Sequence, residues 1–158
     1  MRMSVVAVGK VRPPLRAAVD EYQKRLRRFA TVEEIEVKDL PVPESLSEAE
    51  RAARIAQESE AVWAAVPKGA FTVVLDARGR MLSSEDLAEQ IDAWATRGRA
   101  HTAWLIGGSA GFSREMVRRA DFVWSLSPLT FPHQLARLIV FEQLYRAMKI
   151  IRGETYHK

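Results

Sequence analysis

The chain has no cysteine in its 158 residues. That absence excludes disulfides, thiolate metal ligands and every mechanism that runs through a cysteine nucleophile. Histidine is nearly as scarce. His101, His133 and His157 stand far apart, without the spacing of metal ligands, so no resident metal is expected. No apolar run is long enough to span a bilayer, and the opening MRMSVVAVGK is too short in its apolar part for a secretory signal. A cytoplasmic protein without membrane contact is the expectation. Internal repeats and low-complexity tracts are missing too.

What is present suits one soluble domain spanning residues 1–158, because 47% hydrophobic content supplies enough core to fold alone. The net charge of +4 favours anionic partners, nucleic acid first among them, although an inert arginine-rich surface gives the same balance.

Short apolar runs alternate with helical patterns. Met3–Val8, Thr31–Val37, Ala70–Leu75, Thr102–Ile106 and Phe122–Ser125 read as strands. The third of these is expected to stop at Asp76 and the Arg78-Gly79 turn. Pro13-Pro14 open a first helix whose apolar face is Leu15, Val19, Tyr22, Leu26 and Phe29. Ser47 and Glu50 form a capping-box pattern for a long polar helix to Val66, which carries no residue of evident chemistry and reads as scaffold. Ser83 or Ser84 caps a helix through Trp94, Ser113 caps a short one, and Gln134–Ile151 is the last. Strands alternating with helices predict an α/β fold, a mostly parallel sheet flanked by helices. Such sheets bind ligands beyond the carboxyl ends of their strands, which selects the loops after Val8, Leu75, Ile106 and Ser125.

Gly107-Gly108-Ser109-Ala110-Gly111 matches the G-x-S-x-G pattern of a hydrolase nucleophile elbow. That elbow needs a helix starting at the serine, whereas the helix here is capped four residues later, so a tight turn is the better reading. It is also a poor match to the dinucleotide pattern G-x-G-x-x-G and falls in the wrong strand–loop unit. The loop Leu126–His133 interleaves Ser127, Pro128, Thr130 and Pro132 with Leu126, Leu129 and Phe131. It is either a stiff connector or an extended segment that reads a purine edge through its main chain.

The last helix is apolar almost all round, with Glu142, Arg146 and Lys149 as a narrow polar stripe. The sheet can cover one side only, which leaves the other for a partner chain, most simply in a two-fold dimer. Arg137 lies in line with Phe141, Leu144 and Met148, where a charge needs either a carboxylate or a bound phosphate. The tail from Arg152 to Lys158 adds Tyr156 for base stacking, His157 as an imidazole and cations for phosphates, provided a folded partner orders them.

The strings IGGSAGF, WSLSPLTFPHQLARL, EQLYRA and RGETYHK, with VAVGK and VVLDARGRMLSSEDLA earlier, resemble the SPOUT-class large-subunit ribosomal RNA methyltransferase H family over nearly the whole chain. The resemblance implies a trefoil knot in the C-terminal half, a feature that composition and spacing never predict. It also implies a homodimer, S-adenosylmethionine as methyl donor, and N3-methylation of a pseudouridine in helix 69 of 23S rRNA, on assembled ribosomes. Family cofactor contacts carry over to Leu75, Gly107, Leu126, Ser127, Pro128, Leu129, Thr130 and Phe131. Tyr156 and His157 are then the expected catalytic pair, orienting the base and helping to remove its N3 proton. Lys10, Arg12, Arg137, Arg152 and Lys158 are the expected RNA contacts. Another RNA target, or a non-catalytic RNA-binding dimer of the same fold, are the rival readings.

Overall fold

The computed structural model describes residues 1–156. They form β1 (Arg2–Val8), α1 (Leu15–Leu26), β2 (Thr31–Val37), α2 (Glu48–Ala64), β3 (Phe71–Met81), α3 (Ser84–Thr96), β4 (His101–Ile106), α4 (Arg114–Arg119), β5 (Phe122–Ser125) and α5 (His133–Ile151). The strands make one sheet in the order β2-β1-β4-β3-β5, and every pairing is parallel.

A parallel sheet with helices on both faces buries both sets of alternating side chains. Along β1, Met3, Val5 and Ala7 enter the core beneath α1, α3 and α5, while Val6 and Val8 enter the opposite core beneath α2 and α4. Trp94, Trp104 and Trp124 gather in the larger core, with Trp104 and Trp124 meeting edge-on at 5.6 Å between ring centroids.

The helix starts follow their side chains. Ser47 and Glu50 close a capping box on α2, Ser83 and Asp86 close another on α3, and Ser113 caps α4 through the Met116 amide at 3.2 Å. Pro14 holds the N-cap position of α1.

β3 runs further than its sequence suggests. It leaves the sheet after Leu75, arches over Asp76–Gly79 and resumes at Arg80, so that Leu75 and Arg80 both pair with Trp124 of β5. The turn chemistry at Asp76 and Gly79 is genuine but builds a bulge, not an end. Gly79 makes the arch feasible. A Cβ there would lie 2.7 Å from the carbonyl carbon and oxygen of Val123.

α5 lies between α1 and α3 and buries Val140, Phe141, Leu144, Ala147 and Met148. Its neighbours cover more of it than the sheet alone would. Leu135 and Ile139, one turn apart, remain half-buried, outside the two core clusters. No helix among the described residues is long and apolar enough to cross a membrane.

Candidate functional site

All five strands point the same way, so their carboxyl ends share one edge of the sheet, and two adjoining cavities open there. The first, about 990 Å³, sits beyond β3, β4 and β5. The second, about 710 Å³, sits beyond β1 and β2. His133, at the start of α5, lines both.

Three segments wall the first cavity. The β3 arch supplies Leu75, Asp76, Ala77 and Arg78. Arg78 binds Asp76 through its main-chain amide at 2.8 Å and its guanidinium at 2.9 Å, and these bonds hold the Asp76 carboxyl below its usual range. The β4–α4 loop supplies Gly107 to Phe112, closed by a turn in which the Gly111 amide donates to the Gly108 carbonyl at 3.0 Å. Gly111 has a φ of +76°, a conformation natural to glycine. At Gly107 a Cβ would stand 3.4 Å from both the Gly111 backbone and the Phe112 ring, so a methyl group would just touch both sides of this wall. The β5–α5 loop supplies Leu126, Ser127, Leu129, Thr130 and Phe131. It is fixed locally: the Ser127 hydroxyl accepts the Leu129 amide at 3.0 Å, and its carbonyl accepts the Ser125 hydroxyl at 3.2 Å.

Of the eight residues expected to hold cofactor, seven line this cavity; Pro128 is exposed on the loop and does not. Sequence reasoning missed Asp76, Phe112 and His133, which only the folded loops bring together. Ser109 is exposed within its turn, away from any helix start, so the geometry of a nucleophile elbow is not formed.

Lys10 and Arg12 are exposed and line the second cavity, with the Arg12 amide donating to Gln134 Oε1 at 2.7 Å. Arg137 corrects one expectation. Its side chain is fully buried, with Nη1 on Glu34 at 2.8 Å and Glu36 at 2.6 Å, and Nη2 on the Val8 and Gly9 carbonyls at 3.1 and 2.9 Å. A guanidinium so committed cannot reach RNA. It pins the β1–α1 loop to α5 instead.

Tyr156 is not brought to the cavity of its own chain. Its ring packs edge-on against Tyr145, and its hydroxyl donates to Glu142 at 3.1 Å, with Tyr22 at 3.4 Å. Those contacts lie toward the far end of α5 from His133, and Arg152 is exposed at that end. Glu142 lies nine residues along α5 from His133, roughly 14 Å at the rise of an α-helix. Burial, Tyr22 and the Glu142 carboxylate all push the Tyr156 phenol well above its usual pKa. His157 and Lys158 lie outside the described residues. Among the described residues, no group of three or more His, Cys, Asp or Glu side chains is placed to hold a metal ion.

Comparison with known proteins matches this architecture. The family model described as "Predicted SPOUT methyltransferase" matches residues 1–157. The Ribosomal RNA large subunit methyltransferase H of Acetivibrio thermocellus is 45% identical over 159 aligned positions, and that of Bifidobacterium animalis subsp. lactis is 46% identical, each alignment covering all of both chains. Among solved structures, a probable methylase family protein from Haemophilus influenzae superposes with a TM-score of 0.54 at 14% identity, covering 99% of this chain and 70% of that one. A probable methyltransferase from Bordetella pertussis gives 0.53 at 14% identity, covering 93% and 96%. At that identity the structural likeness speaks to the fold, and the full-length sequence matches speak to the family. This chain belongs to the SPOUT methyltransferase family.

Proposed function

We propose that this chain transfers a methyl group from S-adenosylmethionine to N3 of a pseudouridine in helix 69 of 23S rRNA. In this reading it works as a cytoplasmic homodimer on assembled ribosomes, with the knot of its family in the C-terminal half. The observation that carries the reading is the first cavity, whose walls are the same three segments that the family resemblance assigns to cofactor.

The cavity suits the donor chemically. Its volume falls in the range of small-molecule sites, Leu75, Leu126 and Trp124 offer an apolar bed for a purine, and the main chain of residues 126–131 offers amides and carbonyls. When bound, S-adenosylmethionine supplies an electrophilic methyl group on a sulfonium. The protein's share is to hold the target base in line with that group and to relieve it of the N3 proton.

Lys10 and Arg12, on the rim of the neighbouring cavity, fit phosphates of the RNA, as does the exposed Arg152. Tyr156 and His157 serve in the site of the partner. Within one chain the tail and the cavity lie toward opposite ends of α5, and a two-fold axis across that helix brings each tail to the other cavity. Leu135 and Ile139, half-buried one turn apart, give such a partner an apolar strip to cover. There Tyr156 orients the base, and proton acceptance falls to His157.

The test is transfer of labelled methyl from S-adenosylmethionine to ribosomes that lack the modification, with the product base mapped by mass spectrometry. Label on N3 of the helix 69 pseudouridine is the expected result. Cofactor binding without transfer would overturn the RNA target, and loss of both would favour a binding module without catalysis.

A further inference from the structure

Helix α2 looks like scaffold in sequence, yet it carries two consecutive polar residues that are almost fully buried. Glu58 is 4% exposed and Ser59 is 2% exposed. Both reach the β4–α4 loop. Glu58 Oε2 accepts the Leu40 amide at 3.0 Å, and the Gly108 amide stands close enough to favour the charged form of the same carboxyl. The loop lies flush on the acid, since a Cβ on Gly108 would stand 2.8 Å from Glu58 Oε1. Ser59 Oγ accepts the Ser113 amide at 3.0 Å, at the other end of the same loop.

We propose that Glu58 is a positioning residue for the cofactor. Its carboxyl group clamps the Gly107–Phe112 wall to the β2–α2 loop, and Ser59 fixes the end of that wall at the start of α4. The cofactor half of this inference rests on the proposed function of the first cavity; the clamp itself does not.

The chemistry of the clamp needs a carboxylate. The Leu40 amide binds Oε2 and the Gly108 backbone lies against Oε1, so each terminal atom faces main chain from a different loop. A glutamine offers one acceptor and one donor, and its NH2 would face an N–H. A protonated acid has the same defect. The ionised form is nonetheless opposed by its surroundings. Burial pushes the Glu58 carboxyl up and Asp39 adds to that push, while the Leu40 and Gly108 amides pull it back. An acid whose charged form is opposed by burial and by Asp39, set directly behind the wall of a ligand cavity, serves the ligand more than the fold.

The experiment compares the wild-type dimer with Glu58→Gln and Ser59→Ala variants. Amide hydrogen exchange is followed in the protein without cofactor, and S-adenosylmethionine binding is titrated by calorimetry. In Glu58→Gln, exchange at Leu40 and Gly108 should quicken by about tenfold and the cofactor Kd should rise by about tenfold, as expected for one lost charge-assisted bond. The melting temperature should hold, because the lost bond and the removed buried charge act in opposite directions. Ser59→Ala should quicken exchange at Ser113. Unchanged exchange and unchanged Kd would overturn the proposal. So would a Kd that rises only together with a fall in melting temperature, since that is the signature of ordinary structural damage. If the wild-type protein binds no S-adenosylmethionine, the cofactor reading of the cavity falls, and the exchange data still decide whether the clamp exists.

Discussion

The Glu34 carboxylate is shared by two arginines: Arg137 reaches it at 2.8 Å from within the fold, and Arg16 at 2.6 Å from the more exposed side. The inner member is fully buried, so the pair does more than decorate a surface. Replacing Arg137 by methionine keeps much of the volume but leaves Glu34 without its inner partner and takes the guanidinium from the Val8 and Gly9 carbonyls. Removing one member of a buried ion pair costs about 3–5 kcal/mol. Urea unfolding of Arg137→Met should show that loss, and the released β1–α1 loop should weaken RNA binding without changing its dependence on salt.

The same carboxylate sets an acid limit. Burial alone raises the Glu34 pKa, but hydrogen bonds from Arg16 and Arg137 outweigh it and hold the group below the usual glutamate value. A carboxyl with a lower pKa folded than unfolded stabilises the fold above its unfolded value, and that contribution is lost as pH falls through the folded value. Unfolding free energy should therefore hold near neutrality and decline below about pH 4.3. In Glu34→Gln the plateau should be lower and the acid limb flatter, as a pH series of urea titrations would show.

Gly79 is a steric prediction. Alanine there would press a methyl group to within 2.7 Å of the Val123 backbone, which has no side-chain freedom to yield. Gly79→Ala should destabilise by about 1–3 kcal/mol, the usual cost of overpacking. Because Asp76, Ala77 and Arg78 belong to the same arch, cofactor affinity should fall with it.

The placement of Tyr156 predicts complementation. A Tyr156→Ala variant lacks the tail contact, and a Leu126→Arg variant fills the first cavity. Each alone should be inactive. Mixed under conditions that exchange subunits, they should regain methyl transfer, because a mixed dimer pairs one intact cavity with one intact tail. Continued inactivity of the mixture, with dimers formed, would show that each tail serves its own chain.

Lys10→Ala and Arg12→Ala should each weaken RNA binding across sequences and lower the salt slope by about one, the behaviour of a single phosphate contact. Binding measured over a range of salt concentrations separates this from loss of base recognition, which would leave the slope unchanged.

Much of the architecture was legible because it depends on local patterning. The buried runs around Val5, Val73 and Leu105 mark strands covered on both faces, and Ser47, Ser83 and Ser113 announce helix starts by hydrogen bonds only a few residues long. Three features escaped for want of that locality. The strand beyond Asp76 resumes only because β5 is there to pair with Arg80 and Met81. Glu58 is one acid among several on a polar helix, and its meaning comes from Leu40 and Gly108, both distant in sequence. Arg137 required a partner by its position, but only the fold shows that Glu34 and Glu36 fill that need. The loops that wall the first cavity were singled out by the resemblance and by sheet geometry together, whereas the shared position of His133 depends on where α5 begins relative to Gly9.

Every residue that lines the first cavity lies between Leu75 and Ala136. None of its surface comes from the first two strands, so the pocket has no partial form: it exists once β5 has docked beside β3 and α5 has turned back along the sheet. A ligand that enters it thus acts as a latch on the C-terminal half of the chain, and mass action makes that half more resistant to opening as ligand concentration rises. Protection of β5 and the start of α5 from protease should follow ligand concentration, which turns occupancy of the pocket into a gauge of completed folding.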